Sequence, residues 1–117
     1  MNKREIGTFY ERQAEEFLKD KGVHILDRNY RCRQGEIDII GYDGTCLVFF
    51  EVKARETDRA GTGAEAVDLR KRRKICRVAD YYRFEHKIGE FTEMRYDCVA
   101  IDEGRITWIK NAFEHVR

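Results

Sequence analysis

The chain has 117 residues, 42% of them hydrophobic and 38% charged, and 23 Lys and Arg nearly cancel 22 Asp and Glu to leave a net charge of +1. That length suits one domain, residues 1–117, with enough apolar content to bury a core. The near-neutral balance argues against a protein that coats nucleic acid non-specifically, and it leaves room for a local basic groove.

From Ile6 to about Lys21, Ile6, Tyr10, Ala14, Phe17 and Leu18 recur on one helical face, and Gly22 supplies a C-terminal cap. Glu11 lies on the flank of that face, where a carboxylate with its own salt bridge is the simpler reading. Glu15 and Glu16 point further out and read as solvated charges. Residues 23–33 form an extended passage with Ile25 and Leu26 as apolar content and Arg28, Arg31 and Arg33 as a basic cluster. Tyr30 among these arginines is a weak candidate for stacking on a base or sugar.

Gly35-Glu36-Ile37-Asp38-Ile39-Ile40 and Leu47-Val48-Phe49-Phe50-Glu51-Val52-Lys53 are apolar strands that nevertheless carry three carboxylates and a lysine. Asp43-Gly44 between them is a strong hairpin signal. With those two as loop residues, Tyr42 pairs with Thr45, Asp38 with Phe49 and Glu36 with Glu51. Alternation then sets Glu36, Asp38, Glu51 and Lys53 on one face, with Ile37, Ile39, Val48, Phe50 and Val52 on the other. Carboxylates this close repel, and Lys53 is one positive charge against three. A divalent cation such as Mg²⁺, which takes one or two carboxylates and completes its octahedron with phosphate and water, would supply the rest. The plainer alternative, that these charges reach solvent at a sheet edge, fits a scattered pattern better than this clustered one.

Residues 54–63, rich in charge and glycine, read as a loop leaving the candidate site. A second helix is predicted from Ala64 to Phe84, with Val67, Ile75, Val78, Ala79 and Tyr82 as its stripe and Lys71 inside that stripe. Lys71 either snorkels to solvent or acts at the site. The run Arg70 to Lys74, with Arg77 one turn later, is the densest positive patch and the kind of surface that holds phosphates. Met94 to Ile101 alternates as a strand, Asp102-Glu103-Gly104 turns, and Arg105 to Lys110 is a last strand. This order describes an α/β domain with a mixed central sheet flanked by helices.

Cys32, Cys46, Cys76 and Cys98 are widely spaced, and His24, His86 and His115 stand apart from them, which argues against zinc and for free thiols in a reducing compartment. Without a bilayer-length apolar stretch or a signal-like N-terminus, a cytoplasmic protein with no membrane partner is expected.

An Asp on one strand followed by Glu-x-Lys on the next, with a glutamate from a preceding helix, resembles the PD-(D/E)xK site of the restriction-endonuclease-like superfamily; here the set is Glu11, Asp38, Glu51 and Lys53. Over nearly its whole length the chain also resembles the YraN-like family of small bacterial proteins. The matching residues are Gly7, Glu11 and Ala14; Arg28-Asn29-Tyr30-Arg31; Gly35-Glu36-Ile37-Asp38; Glu51-Val52-Lys53 with Arg55; Gly61 with Ala66-Val67; Lys71; and Arg95-Tyr96-Asp97. Ala60 departs from it, standing where an aromatic is expected.

The resemblance implies a restriction-endonuclease-like fold and metal-dependent hydrolysis of nucleic acid, DNA in the first instance. Asp38, Glu51 and the Val52 carbonyl would hold Mg²⁺ or Mn²⁺. Lys53 would orient water or stabilise the transition state, Glu11 would complete the site, and Glu36 would hydrogen-bond behind the ligands. Arg31, Arg33, Arg55, Arg70, Lys71, Arg73 and Lys74 would hold backbone phosphates. By analogy with resolvase-like relatives a homodimer is expected. The competing reading keeps the fold as a non-catalytic nucleic-acid-binding protein, and a third treats the charges as structural salt bridges.

Overall fold

The computed structural model describes residues 2–55 and 68–117, with only the backbone of Arg55. Helix α1 spans Lys3–Asp20, followed by strands β1 (His24–Cys32), β2 (Gly35–Asp43) and β3 (Cys46–Arg55); helix α2 (Leu69–Glu85) then leads to β4 (Met94–Asp102) and β5 (Arg105–Phe113). The five strands lie side by side in chain order. Only β3 and β4 run parallel, joined through α2; the other neighbours are antiparallel. The α/β class and mixed sheet expected from the sequence are therefore present. Among the described residues no helix is long and apolar enough to cross a membrane.

The helices cover opposite faces because β3 is apolar on both. Leu47 and Phe49 pack with Ile75, Val78, Ala79 and Tyr82 of α2. Val48 and Phe50 pack with Ala14 and Leu18 of α1. A central strand with both faces buried reads as an unbroken hydrophobic run, and burying each such side chain contributes roughly 1.5–3 kcal/mol.

Local chemistry sets the helix ends. α1 begins three residues before its apolar face requires, since the Asn2 side chain accepts the Glu5 N–H at 2.9 Å and caps the first turn. Past Lys21, Gly22 adopts φ +94° and its N–H bonds the Lys19 carbonyl at 3.0 Å, the expected C-terminal stop. α2 starts at Leu69, capped by the Asp68 carboxylate on the Lys71 N–H at 2.9 Å. The predicted start at Ala64, the contribution of Val67 to the stripe, and most of the predicted 54–63 loop lie outside the described residues. Ala54 and Arg55 themselves extend β3.

The hairpin register differs from the expected one by two residues. Asp43 pairs with Cys46, leaving Gly44 and Thr45 as the loop. Gly44 at φ +63° occupies the first central position, the place glycine takes in a type II′ turn. Asp43 stays in the strand because Arg95 Nη2 reaches its Oδ2 at 2.9 Å and Lys110 Nζ approaches at 3.5 Å. At the same end of the sheet Asp97 is wholly buried. It accepts from Trp108 Nε1 at 2.8 Å, the Asn111 N–H at 2.8 Å and the Arg95 guanidinium, tying β5 to β4 where their register shifts.

Two side chains expected to face solvent are occupied within the fold. Glu15 is largely buried, and the Arg28 guanidinium of β1 and Lys19 both pair with it. Tyr30 donates to Glu85 at 2.7 Å and meets the Tyr82 ring edge-on at 4.9 Å, so it belongs to the packing of β1 on α2 rather than to an open stacking surface. The four cysteines are free thiols, three of them buried.

Candidate functional site

The ladder between β2 and β3 ends at Ile39↔Phe50, although β2 continues to pair with β1 as far as Cys32↔Gly35. β1 and β2 leave the β3 ladder together, and the reason lies in one local twist. Ile39 enters the core under α1 whereas Ile37 enters the core under α2, so the two-residue alternation breaks at Asp38. In β1 the same level carries Asn29 at φ +48°, a left-handed conformation that asparagine tolerates better than most residues. The expectation that Ile37 and Ile39 share a face is thereby corrected.

Asp38 consequently enters neither core. Its Oδ2 accepts the Val52 N–H at 2.8 Å, the hydrogen bond that β2 would have made had the ladder continued. Phe49 pairs with Ile40 rather than with Asp38, and although the observed register carried one step further would set Asp38 opposite Glu51, the ladder stops at Ile39↔Phe50 before that pair forms. What brings Asp38 to β3 is its side chain, reaching across the gap between the diverging strands.

Glu51, only 6% exposed, lies in β3 two residues beyond Phe49, on the face covered by α2. Lys71 Nζ from the first turn of α2 stands 2.5 Å from Glu51 Oε1, and Lys53 Nζ lies 4.0 Å from the same oxygen. From the other face α1 contributes Glu11, which hydrogen-bonds the side chains of Asn29 and Asp38. A cleft of about 800 Å³ opens over these groups, lined by Glu11, Glu36, Asp38, Glu51, Lys53 and Lys71 together with Val52. It sits toward the carboxyl end of a parallel strand and at the start of its crossover helix, where α/β sheets tend to place ligands.

Burial and the neighbouring charge of Glu51 push the Asp38 carboxyl up to about 8, overcoming the opposing pull of the Val52 N–H and Lys71. Burial also raises Glu11, against its bond to Asn29, with Glu36 adding to the rise. Lys53 is lowered by burial and by the adjacent Lys71. Burial works on Lys71 in the same direction, but its contact with Glu51 and the charges of Glu51 and Asp38 outweigh that, so Lys71 is raised. Four carboxyls and three amines thus line one cleft, and Asp38 and Glu11 hold a proton more readily than free carboxyls do.

The remaining sequence candidates lie around this centre. Arg31 Nε pairs with Glu36 Oε2 at 3.0 Å on the rim, both side chains being well exposed. Arg33 is exposed in the turn between β1 and β2. Arg70, Arg73 and Lys74 are exposed on α2, outside the cleft lining. The Arg55 side chain lies outside the described residues. Asn29 and Lys3 were not among the expected site residues; Lys3 lines the cleft from the start of α1. The place of Asn29 in the Arg28-Asn29-Tyr30-Arg31 match and asparagine's tolerance of the left-handed region were the clues to it, whereas nothing local marked Lys3.

The family model described as "Uncharacterised protein family UPF0102" matches residues 10–101. A UPF0102 protein of Lachnoclostridium phytofermentans is 42% identical over 114 residues, covering 97% of each chain. One from Fusobacterium nucleatum is 43% identical over 111 residues, covering 95% of this chain and 92% of its own. A Legionella pneumophila protein of the same description is 38% identical over 112 residues, covering 94% and 95%. The matched segment contains α1 from Tyr10, the whole β2–β3 hairpin and α2, hence Glu11, Asp38, Glu51, Lys53 and Lys71 together. With matches of this extent, the chain belongs to the UPF0102 family.

Proposed function

We propose that this protein is a divalent-cation-dependent nuclease of restriction-endonuclease-like architecture, cutting phosphodiester bonds in nucleic acid, with DNA as the first substrate to test. The observation that carries this reading is the convergence of Asp38, Glu51, Lys53 and Glu11 on one cleft, achieved by breaking the β2–β3 ladder. Among the described residues no three His, Cys, Asp or Glu side chains are gathered as a ready-made cation cage. Mg²⁺ needs only one or two carboxylates and keeps its waters. The donor set suits it, because oxygen donors from Asp38 and Glu51 lie beside each other in a buried setting where the charge of Glu51 disfavours that of Asp38.

Asp38 and Glu51, with the Val52 carbonyl, are the residues that would hold Mg²⁺ or Mn²⁺. When bound, the cation would lower the pKa of a coordinated water and offset charge on the phosphate. Lys53, pushed toward its neutral form by burial and by Lys71, is suited to orient that water or bond a phosphate oxygen. Glu11 buttresses Asp38 through their hydrogen bond, and Glu36 holds Arg31 on the rim. The exposed Arg33, Arg70, Arg73 and Lys74 would steer the phosphate backbone. Cutting both strands of a duplex would call for a homodimer, which light scattering tests directly.

One observation favours the non-catalytic reading: Glu51 is already ion-paired with Lys71. The two separate on a panel of labelled single-stranded, duplex and branched DNA and RNA, incubated with Mg²⁺, Mn²⁺ or EDTA beside Glu51→Gln. Cleavage that needs the cation and vanishes in the variant supports the nuclease. Equal binding by both proteins without cutting would sink it.

A further inference from the structure

Lys71 occupies an electrostatically awkward place. It lies in the first turn of α2, which begins Leu69-Arg70-Lys71-Arg72 and carries no acid. Cations at a helix N-terminus oppose the macrodipole. The Asp68 cap answers the backbone, whereas the Lys71 side chain finds its partner in Glu51, whose nearly buried carboxylate lies 2.5 Å from Lys71 Nζ. Lys53 is twice constrained by comparison, sitting on the same strand as Glu51 and 4.0 Å from it. Lys71 belongs to a different element, and its side chain is 41% exposed against 23% for Lys53, so it is the freer of the two to leave the cleft.

We propose that Lys71 is an internal counter-cation that occupies Glu51 in the cation-free protein, is displaced when a divalent cation binds, and is thereby released to engage substrate phosphate. This rests on the reading of the cleft as a divalent-cation site and adds its regulation. Charge balance drives the exchange. Glu11, Glu36, Asp38 and Glu51 share the cleft with Lys3, Lys53 and Lys71, and a dication entering beside Glu51 would crowd positive charge against the two ammonium groups nearest that carboxylate, so the more exposed of them, Lys71, leaves. The pair also satisfies a carboxylate that would otherwise be buried alone, which is costly. Coupling by displacement is reciprocal: whatever Lys71 gains on Glu51, the cation must overcome. A released Lys71 adjoins the exposed Arg70, Arg73 and Lys74, so basic side chains would meet phosphate as a group only after the cation is in place.

Mn²⁺ titrations of the full chain by calorimetry, with Lys71→Met, Lys71→Arg and Glu51→Gln beside wild type, test this. Lys71→Met should bind Mn²⁺ about tenfold more tightly, within the usual span of such couplings. Lys71→Arg, which keeps the charge, should bind no more tightly than wild type. In a parallel experiment, pulse acetylation read by mass spectrometry should modify Lys71 faster in wild type once Mn²⁺ is added, with the rate at Lys110 unchanged. Equal or weaker Mn²⁺ binding by a folded Lys71→Met, or acetylation of Lys71 indifferent to Mn²⁺, overturns the displacement while the cation site stands. Should Mn²⁺ bind none of the four proteins, the cation site itself falls and the proposal with it.

Discussion

Asp38 shows how a single side chain can serve a site at the expense of the fold. Its folded-state carboxyl is raised from 3.8 to about 8. A carboxyl raised by folding stabilises the native state while protonated, so that stability is present in full below about 4 and is lost as pH rises toward 8. In EDTA, wild type should therefore lose stability across that window. Asp38→Asn keeps an oxygen for the Val52 N–H without the charge, so its denaturant midpoint should be higher than wild type at pH 8 and level with it near pH 4. A variant less stable than wild type at pH 8 would refute this account. Glu15 behaves oppositely. Hydrogen bonding to Arg28 holds its carboxyl down at about 2, so its contribution is present above about 4.5 and is lost as pH falls through 2. Arg28→Ala should flatten the acid arm of the stability curve between those values, which acid titration followed by circular dichroism would reveal.

Among the elements, β5 depends most on one buried group. Asp97 binds the Trp108 indole, the Asn111 N–H and the Arg95 guanidinium, and Arg95 continues the network to Asp43 at the hairpin. Asp97→Ala leaves Arg95 partly buried without its main partner and should cost about 3–5 kcal/mol. Hydrogen exchange should locate the earliest added opening in β5. If protection were lost first in α1 instead, the network would not be what fastens the edge strand. The β2–β3 hairpin was only partly legible beforehand for the same reason. Alternation identified both strands and their charged ends, but two groups remote in sequence, Arg95 and Lys110, keep Asp43 inside the ladder and move the register by two residues.

For the whole molecule, the site lies between layers: Glu11 comes from α1, Asp38 and Glu51 from the sheet, and Lys71 from α2. A cation bound only by the folded arrangement stabilises it by roughly 2.7 kcal/mol at a hundredfold excess over its dissociation constant. Mg²⁺ or Mn²⁺ should accordingly raise the thermal midpoint of wild type by several degrees, and of Asp38→Asn or Glu51→Gln hardly at all. An equal rise in all three proteins would place the cation elsewhere.

By itself the sequence determined what is local. The 3.6-residue stripes of α1 and α2, the doubly apolar run of β3, the glycine that ends α1 and the Glu-x-Lys at the end of β3 are written in neighbouring residues, because helix and strand periodicity depend on a few positions at a time. The tertiary structure decided everything that needs partners far apart in the chain. Where β2 leaves β3, the Arg28 partner that takes Glu15 out of solvent, and whether Lys71 snorkels or turns inward all depend on charges and apolar faces that meet only after the layers pack. Such encounters follow from the burial of both faces of β3 at once, and no window of sequence contains them.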